Sequence, residues 1–544
     1  MGLRDAPSFG LIWIGLVMLA ASSAAFAQGY RNVPEVVVPT TEGGTTGPGT
    51  VTPEEVPTGV IGGEAQPPPP PAWIIEPRIG IEEIITDNAR ATNVGRQADL
   101  VSIVSPGLSV TGDTARIKAS LDYSLDVQRY LKATDQNRIA NNLFGNGQAI
   151  VVPDLLYFDA RASISQEDVA GGRGFTNSNL IPEAQRAEVI AYSAGPTLRT
   201  NIGSLLTTEM SYLVSQTHFT NNTTLTGGAG LSNSTQQEGR FVLGTGEDFD
   251  RLNTSLVADY LHSTGFGSAI ASNTASGEDR KLAEVDNEYH ITRTFSVIAQ
   301  AGYEKLTFPG ASQLNITGPI WGAGFQYNPN PDALMRLIYG RRDGGNDFSG
   351  ELRFAITPAT KMFITYTQQV ETTQGAIIQG LDTSGLGAGG TIINPISGLP
   401  STVVNPNFPL QNDIFRTKAL QGGLISAVGR NTFTITAFRE QRISLAGLLP
   451  SDTSTGASFQ WIRDMSPQTS GSMFIGYAKD TIGSGPTINA SIGISHKFTQ
   501  TLTGGVRYDY IRGSGAFGTA IGPISATGTK FTQNALTFSL RKTF

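Results

Sequence analysis

Residues 115–131, ARIKASLDYSLDVQRYL, alternate between two chemistries for longer than a soluble strand lasts. Ile117, Ala119, Leu121, Tyr123, Leu125 and Val127 fall on one side; Arg116, Lys118, Ser120, Asp122, Ser124, Asp126 and Gln128 fall on the other. Side chains leave a strand alternately to its two faces, so this period predicts one strand with an unbroken apolar face and a charged one. The pattern returns in DLLYFDARASIS, with Leu156, Phe158 and Ile164 against Asp159 and Arg161. It returns again in TLTGGVRYDYIRG, with Val506 and Tyr508 against Arg507 and Asp509. Soluble strands usually run five or six residues, whereas a tilted membrane strand needs about 9–11 to cross a bilayer. In lipid every backbone N–H and C=O must be paired, so strands span only as a closed ring.

The joints between strands support a ring. From Arg78 to Phe544 the sequence divides into 22 candidate strands, within a range of 16–22, with tight joints near Gly112, Pro153, Gly203, Gly246, Thr292, 329–331, Pro358, Gly429, Pro467 and Thr499. Between them fall the other joints, many of them long: 89–97, 132–138, 168–185, 222–236, 264–279, 309–314, 344–345, 372–411, 443–452, 481–484 and 515–528. The two classes alternate without a break, which is the pattern of outer-membrane barrels with short periplasmic turns and longer extracellular loops, and an even strand number is expected to put both termini in the periplasm. The expected fold is thus all-β, a transmembrane antiparallel β-barrel over 78–544. Its predicted lumen-facing residues are Arg116, Lys118, Asp122, Asp126, Asp159, Arg161, Arg507 and Asp509; Leu121, Phe158, Val506 and Tyr508 are expected to face lipid.

The chain's beginning fits that destination. MGLRDAPSFGLIWIGLVMLAASSAAFAQ carries Arg4, an apolar run from Leu11 to Ala21 and small residues at Ala25 and Ala27, which predicts a signal peptide over 1–27. Residues 28–77 hold eleven of the 29 prolines, including the run 67–71, and read as a disordered periplasmic linker. The chain contains no cysteine, which excludes disulfides and thiolate ligands or nucleophiles. A formal net charge of -7 without a basic run speaks against nucleic acid.

Chemistry is sparse. The four histidines show no metal-ligand spacing, and no G-x-S-x-G elbow occurs. GLGAGG at 385–390 matches a dinucleotide fingerprint only in spacing, since no strand–helix context surrounds it. RRDGGNDFSGE at 341–351 offers Asp343 and Asp347 to a cation, but a plain Gly-Gly turn between solvated charges is the preferred reading. No catalytic residue, metal or cofactor is assigned. The segment 372–411 stands out, with Asp382 as the one charge between Gln374 and Gln411 and with Ile377, Ile378, Ile392 and Ile393. A solvated loop is more charged than this, so it is expected either to fold into the lumen as a constriction or to pack across the barrel mouth.

The last strand, NALTFSLRKTF, ends on Phe544 and places Phe538 and Leu540 on the same side. It resembles the C-terminal signal read by the outer-membrane barrel assembly machinery, with Lys542 departing from the usual apolar residue. IEEIITDNARATN, VSPGLSVTGDTARIKASLDYSLDVQRY and VVPDLLYFDARASISQ are similar to the opening strands of a proteobacterial outer-membrane barrel family associated with the PEP-CTERM sorting system and exopolysaccharide loci, within a wider group of β-barrel porins. The resemblance is sharpest over 78–167, and the proline-rich linker is not typical of it. It implies a barrel in Gram-negative outer-membrane lipid serving polysaccharide export or assembly, with periplasmic export components as partners. Three functions stay open: a passive porin-like conduit, a non-conducting anchor of an envelope complex, and an outer-membrane enzyme.

Overall fold

The computed structural model describes residues 71–168, 180, 186–220, 231–266, 276–309, 314–387, 392–394, 401–445, 450–481, 486–515 and 529–544. The expected signal peptide, and the expected linker up to residue 70, lie outside the described residues. The chain forms a 22-stranded antiparallel sheet in which each wall strand pairs with the next in sequence. The last strand, Thr529–Thr543, pairs with the first, Trp73–Thr86, from Arg78↔Thr543 to Thr86↔Ala535, and closes the ring. A backbone bond from Phe544 N to Pro77 O, 2.9 Å, extends the seam.

The wall begins five residues before the expected boundary at Arg78. Trp73–Pro77 pair with Gly112–Leu108 of the second strand, and none of them stands opposite a residue of the last strand. Pro77 accepts from Phe544 N but has no N–H to return, so the one bond it forfeits lies at the very end of the seam, and a proline that reads as linker is accommodated in a strand.

The joints alternate as expected. Two-residue turns close the strands at 358–359, 429–430 and 467–468, while the opposite end carries the long segments, 373–413 among them. One loop-end joint is also minimal. Asp343 and Gly344, with φ of 51° and 72°, form a two-residue hairpin turn of the type whose twist matches flanking strands.

Two rings of aromatic side chains mark the outer face. Toward the loop end Tyr212, Tyr260, Tyr303, Trp321 and Tyr339 are exposed on neighbouring strands, and the Tyr212 hydroxyl donates to Gln237 Oε1 at 3.0 Å. Tyr508 does the same to Asn534 Oδ1 at 2.7 Å on the far side. At the turn end stand Trp73, Tyr289, Tyr327, Phe498 and Phe544. Between the rings the exposed residues are apolar, among them Ile81, Leu256, Ile364, Leu420, Ile475 and Ile492. An apolar band between aromatic girdles is the signature of a barrel wall facing lipid.

The wall is not a regular cylinder. The hairpin of Ala333–Arg342 and Gly345–Thr357 is short, and Trp321 is the loop-ward limit of its pairing with Leu314–Asn330. Beyond it Val370 and Ile414 pack on Leu306, Phe308 and Ile316. Val370 shares the face of its strand that turns Ile364 toward lipid lower down, whereas Leu306 and Phe308 share the lumen face of theirs, opposite Tyr303 and Lys305. The loop-end halves of Thr360–Thr372 and Ile414–Val428 therefore lean inward, behind their neighbours.

Candidate functional site

The lumen is crossed by the segment 373–413. Its first ten residues form a helix, α1 (Thr373–Asp382), whose N-cap Thr372 accepts a bond from Gly375 N at 3.0 Å. Ile377, Ile378 and Leu381 form its buried face and pack with Val403, Val404 and Leu410 on Phe144, Ala187, Val189, Ala191 and Phe219. Burial of such side chains stabilises the docked loop by roughly 1.5–3 kcal/mol each. Gly380 allows the close approach: a Cβ there would stand 2.1 Å from Val403 O.

The receiving wall is far from where the loop is rooted. Thr360–Thr372 is the fifteenth wall strand and Arg186–Ile202 the sixth, nine places apart in a ring of 22. Arg161 fixes the far end by donating from Nη1 to Ser384 O at 3.0 Å and to Leu381 O at 3.4 Å. Arg161 is the sixth residue of the strand Leu156–Asp168, so the end of α1 sits about halfway down the wall. Ser193 Oγ donates to Asp382 Oδ1 at 3.3 Å. At the root Gln374 Nε2 donates to Ser232 O and to Asn412 Oδ1, and Asn405 Nδ2 to Glu440 Oε1 at 2.7 Å. The Arg442 guanidinium lies 4.3 Å from the Phe408 ring centroid. Burial pushes the Asp413 carboxyl above its usual range, opposed by the bond from the Ser444 hydroxyl. Of the two placements expected for this segment, the lumen is the one observed.

Most sequence-predicted lumen residues share the inner face. Asp122 pairs with Arg78, Asp126 accepts from Asn142 Nδ2 at 2.9 Å, and Asp159 accepts from Gln148 and Thr197. Arg507 pairs with Asp509 at 2.8 Å, and Lys118 lies opposite Gln148 near the turn end. Arg116 is a correction. It sits in the turn 114–116, where Thr114 Oγ1 accepts from the backbone N–H of Arg116 and Ile117, so the strand starts one residue later and Arg116 is exposed below the wall. Phe538, Leu540 and Phe544 are exposed on the outer face.

Two features escaped sequence reasoning. The first is the docking wall: residues 189–194, VIAYSA, carry no charge on either face, a signal that something covers the lumen side as well. The second is an ionic cluster where the strands lean inward. Arg342 Nη2 donates to Glu284 Oε1 at 2.6 Å, Arg280 Nη2 to Val370 O and Arg416 Nη2 to Asp343 O, both at 2.7 Å. Asp343 Oδ2 accepts from Val370 N at 3.0 Å. The charges at 341–351 were expected to be solvated around a plain turn; the turn is plain, but Arg342 and Asp343 are buried. Among the described residues no group of three or more metal-ligating side chains is assembled.

No family model matches the chain, and no curated protein matches it in sequence. Solved structures do. A mutant of the ferric enterobactin receptor PfeA from Pseudomonas aeruginosa is 9% identical with a TM-score of 0.45, covering 86% of this chain and 80% of its own. The siderophore receptor PirA from Acinetobacter baumannii gives the same values. The FrpB iron transporter from Neisseria meningitidis is 8% identical with a TM-score of 0.48, covering 86% and 82%. A likeness of this size says nothing about what passes through the present lumen.

Proposed function

We propose that this outer-membrane β-barrel is a passive conduit whose bore is set by the loop 373–413. The observation that carries the reading is the crossing itself: a nearly uncharged segment leaves the fifteenth wall strand and docks dry on the sixth. A wall of 22 strands encloses more space than side chains fill, since 16–18 strands already leave an aqueous channel. The crossing loop therefore decides how much of that space conducts.

The lining away from the loop's docking wall carries hydroxyls and amides between its charged pairs and supports a hydrophilic cargo. Thr434, Thr436, Ser458, Gln460, Ser491 and Ser539 lie on the inner face of their strands, as their pairing with Glu440-side and Arg507-side neighbours requires. Hydroxyls and amides can both donate and accept, which suits a glycan. Together with the similarity of the opening strands to an exopolysaccharide-associated family, this favours polysaccharide export or assembly as the setting. We take both termini as periplasmic and the barrel assembly machinery as the folding partner. A second reading, a non-conducting anchor, draws support from the inward lean of Thr360–Thr372, which narrows the same end of the barrel.

Single-channel recording in planar bilayers tests both. The full barrel should conduct, and replacement of 375–409 by a short Gly-Ser linker should raise its conductance several-fold without blocking assembly. Equal conductance in a correctly folded variant would remove the loop from the path. Silence in both proteins would favour the anchor.

A further inference from the structure

We propose that the outer face of the barrel, just beyond its loop-end aromatic girdle, binds the phosphorylated headgroup of an anionic glycolipid. Outward-facing side chains alternate with lumen-facing ones, so the register identifies what stands above the girdle on each strand. Lys281 follows Tyr260 across the strand pair, and Lys305 lies directly opposite Lys281. The Lys281 ammonium is 5.4 Å from the exposed Tyr260 ring, which fixes it on the outer face. Further round, Arg439 and Lys479 flank Thr455 from either side, with Lys418 beside Gln441 on the adjoining strand. Arg512 and Lys530 form a third group, Arg512 opposite Thr532 and Lys530 opposite Ser514.

Acids do not balance these cations. On the outer face above the girdle, between Ser276 and Thr543, the carboxylate among the described residues is that of Asp279, and His262 Nδ1 already engages it at 2.7 Å. Lys281, Lys305, Arg439, Lys479 and Arg512 are exposed, and no ion pair engages them among the described residues. Like charges directly opposite on neighbouring strands repel, and the Lys281–Lys305 pair is relieved by an anion placed between them. The position selects the anion's source. These cations stand at the boundary where the apolar band ends, beside Tyr303 and Tyr477, so a ligand there has acyl chains against the band and its phosphates level with the lysines. Phosphate is also a group that Lys and Arg bind through strong charge-assisted bonds. A bisphosphorylated lipid A-type headgroup satisfies both demands, whereas a free phosphate satisfies only the second.

The inference rests on the reading that the loop end faces the outer leaflet, but its binding test does not. Purified barrel in detergent is titrated with bisphosphorylated lipid A and with the dephosphorylated lipid, using intrinsic fluorescence or native mass spectrometry. The phosphorylated lipid should bind at least tenfold more tightly, and millimolar inorganic phosphate should not displace it. Lys418→Gln/Arg439→Gln/Lys479→Gln and Lys281→Gln/Lys305→Gln should each erode that margin, while Arg463→Gln, exposed at the turn end, keeps it. Equal affinity for the two lipids, displacement by inorganic phosphate, or the same loss with Arg463→Gln would overturn the proposal. Failure of the conductance experiment leaves these outcomes untouched.

Discussion

Leu121 and Asp122 are neighbours in sequence and answer to opposite environments. Leu121 shares the outward face with Tyr123, while Asp122 points inward to the Arg78 guanidinium. Alternation of period 2 made this much legible, because one register assigns a whole strand to its faces. The partner was not legible: Arg78 lies on the first strand, and only the register of the first three strands, with Arg78 opposite Gly107 and Gly107 opposite Ser124, brings it to Asp122. A lipid-facing arginine near mid-membrane costs about 2–4 kcal/mol. Leu121→Arg should therefore lower the yield of heat-modifiable barrel markedly, and Asp122→Asn much less, since the amide oxygen still accepts from Arg78. Equal yields on semi-native gels would show that the two faces are exchanged.

At the scale of elements, strands and joints were readable and the deviations from a regular cylinder were not. Gly203, Gly429 and the turn before Ile117 announce themselves through residues that chain reversal requires. Nothing in the alternation of 360–372 tells that Val370 faces protein instead of lipid, because a buried apolar residue and a lipid-exposed one look alike. The helix α1 was hidden for another reason. Gly375 and Gly380 each cost a helix about 1 kcal/mol relative to alanine, so its local signal is weak and docking holds it. That dependence is testable at Ile378, which is buried against the wall. An unpaired carboxylate there carries a desolvation cost of several kcal/mol, larger than the contribution of one apolar contact. Ile378→Asp should release α1 and raise conductance toward that of the loop-replaced barrel, with the wall still assembled. Proteolysis within 373–413 should rise in parallel; an unchanged cleavage pattern would mean that the helix is held by Arg161 and the root contacts alone.

For the molecule as a whole, closure and sidedness are the two properties no single strand possesses. The seam joins Trp73–Thr86 to Thr529–Thr543 with fewer paired residues than most other strand pairs, and Phe544 adds the bond to Pro77 and an exposed ring at the turn-end girdle. Deleting Phe544 removes that bond and the aromatic end of the strand, so protease-resistant barrel in outer membranes should fall. Normal assembly of the truncated chain would dismiss the residue as a folding signal. The even strand count puts the start of the first strand and the end of the last at the turn end, and the proposed sidedness has that end facing the periplasm. The chain's lack of cysteine makes this directly measurable, because any introduced thiol is the sole target. Val94, in the joint between the first two strands, is 85% exposed at the loop end, and Thr499 lies in the turn before Leu502. With a membrane-impermeant maleimide, Val94→Cys should label in intact cells and Thr499→Cys only after the outer membrane is permeabilised. The reverse order would turn the barrel over, placing the loop 373–413 and the basic outer belt on the periplasmic side.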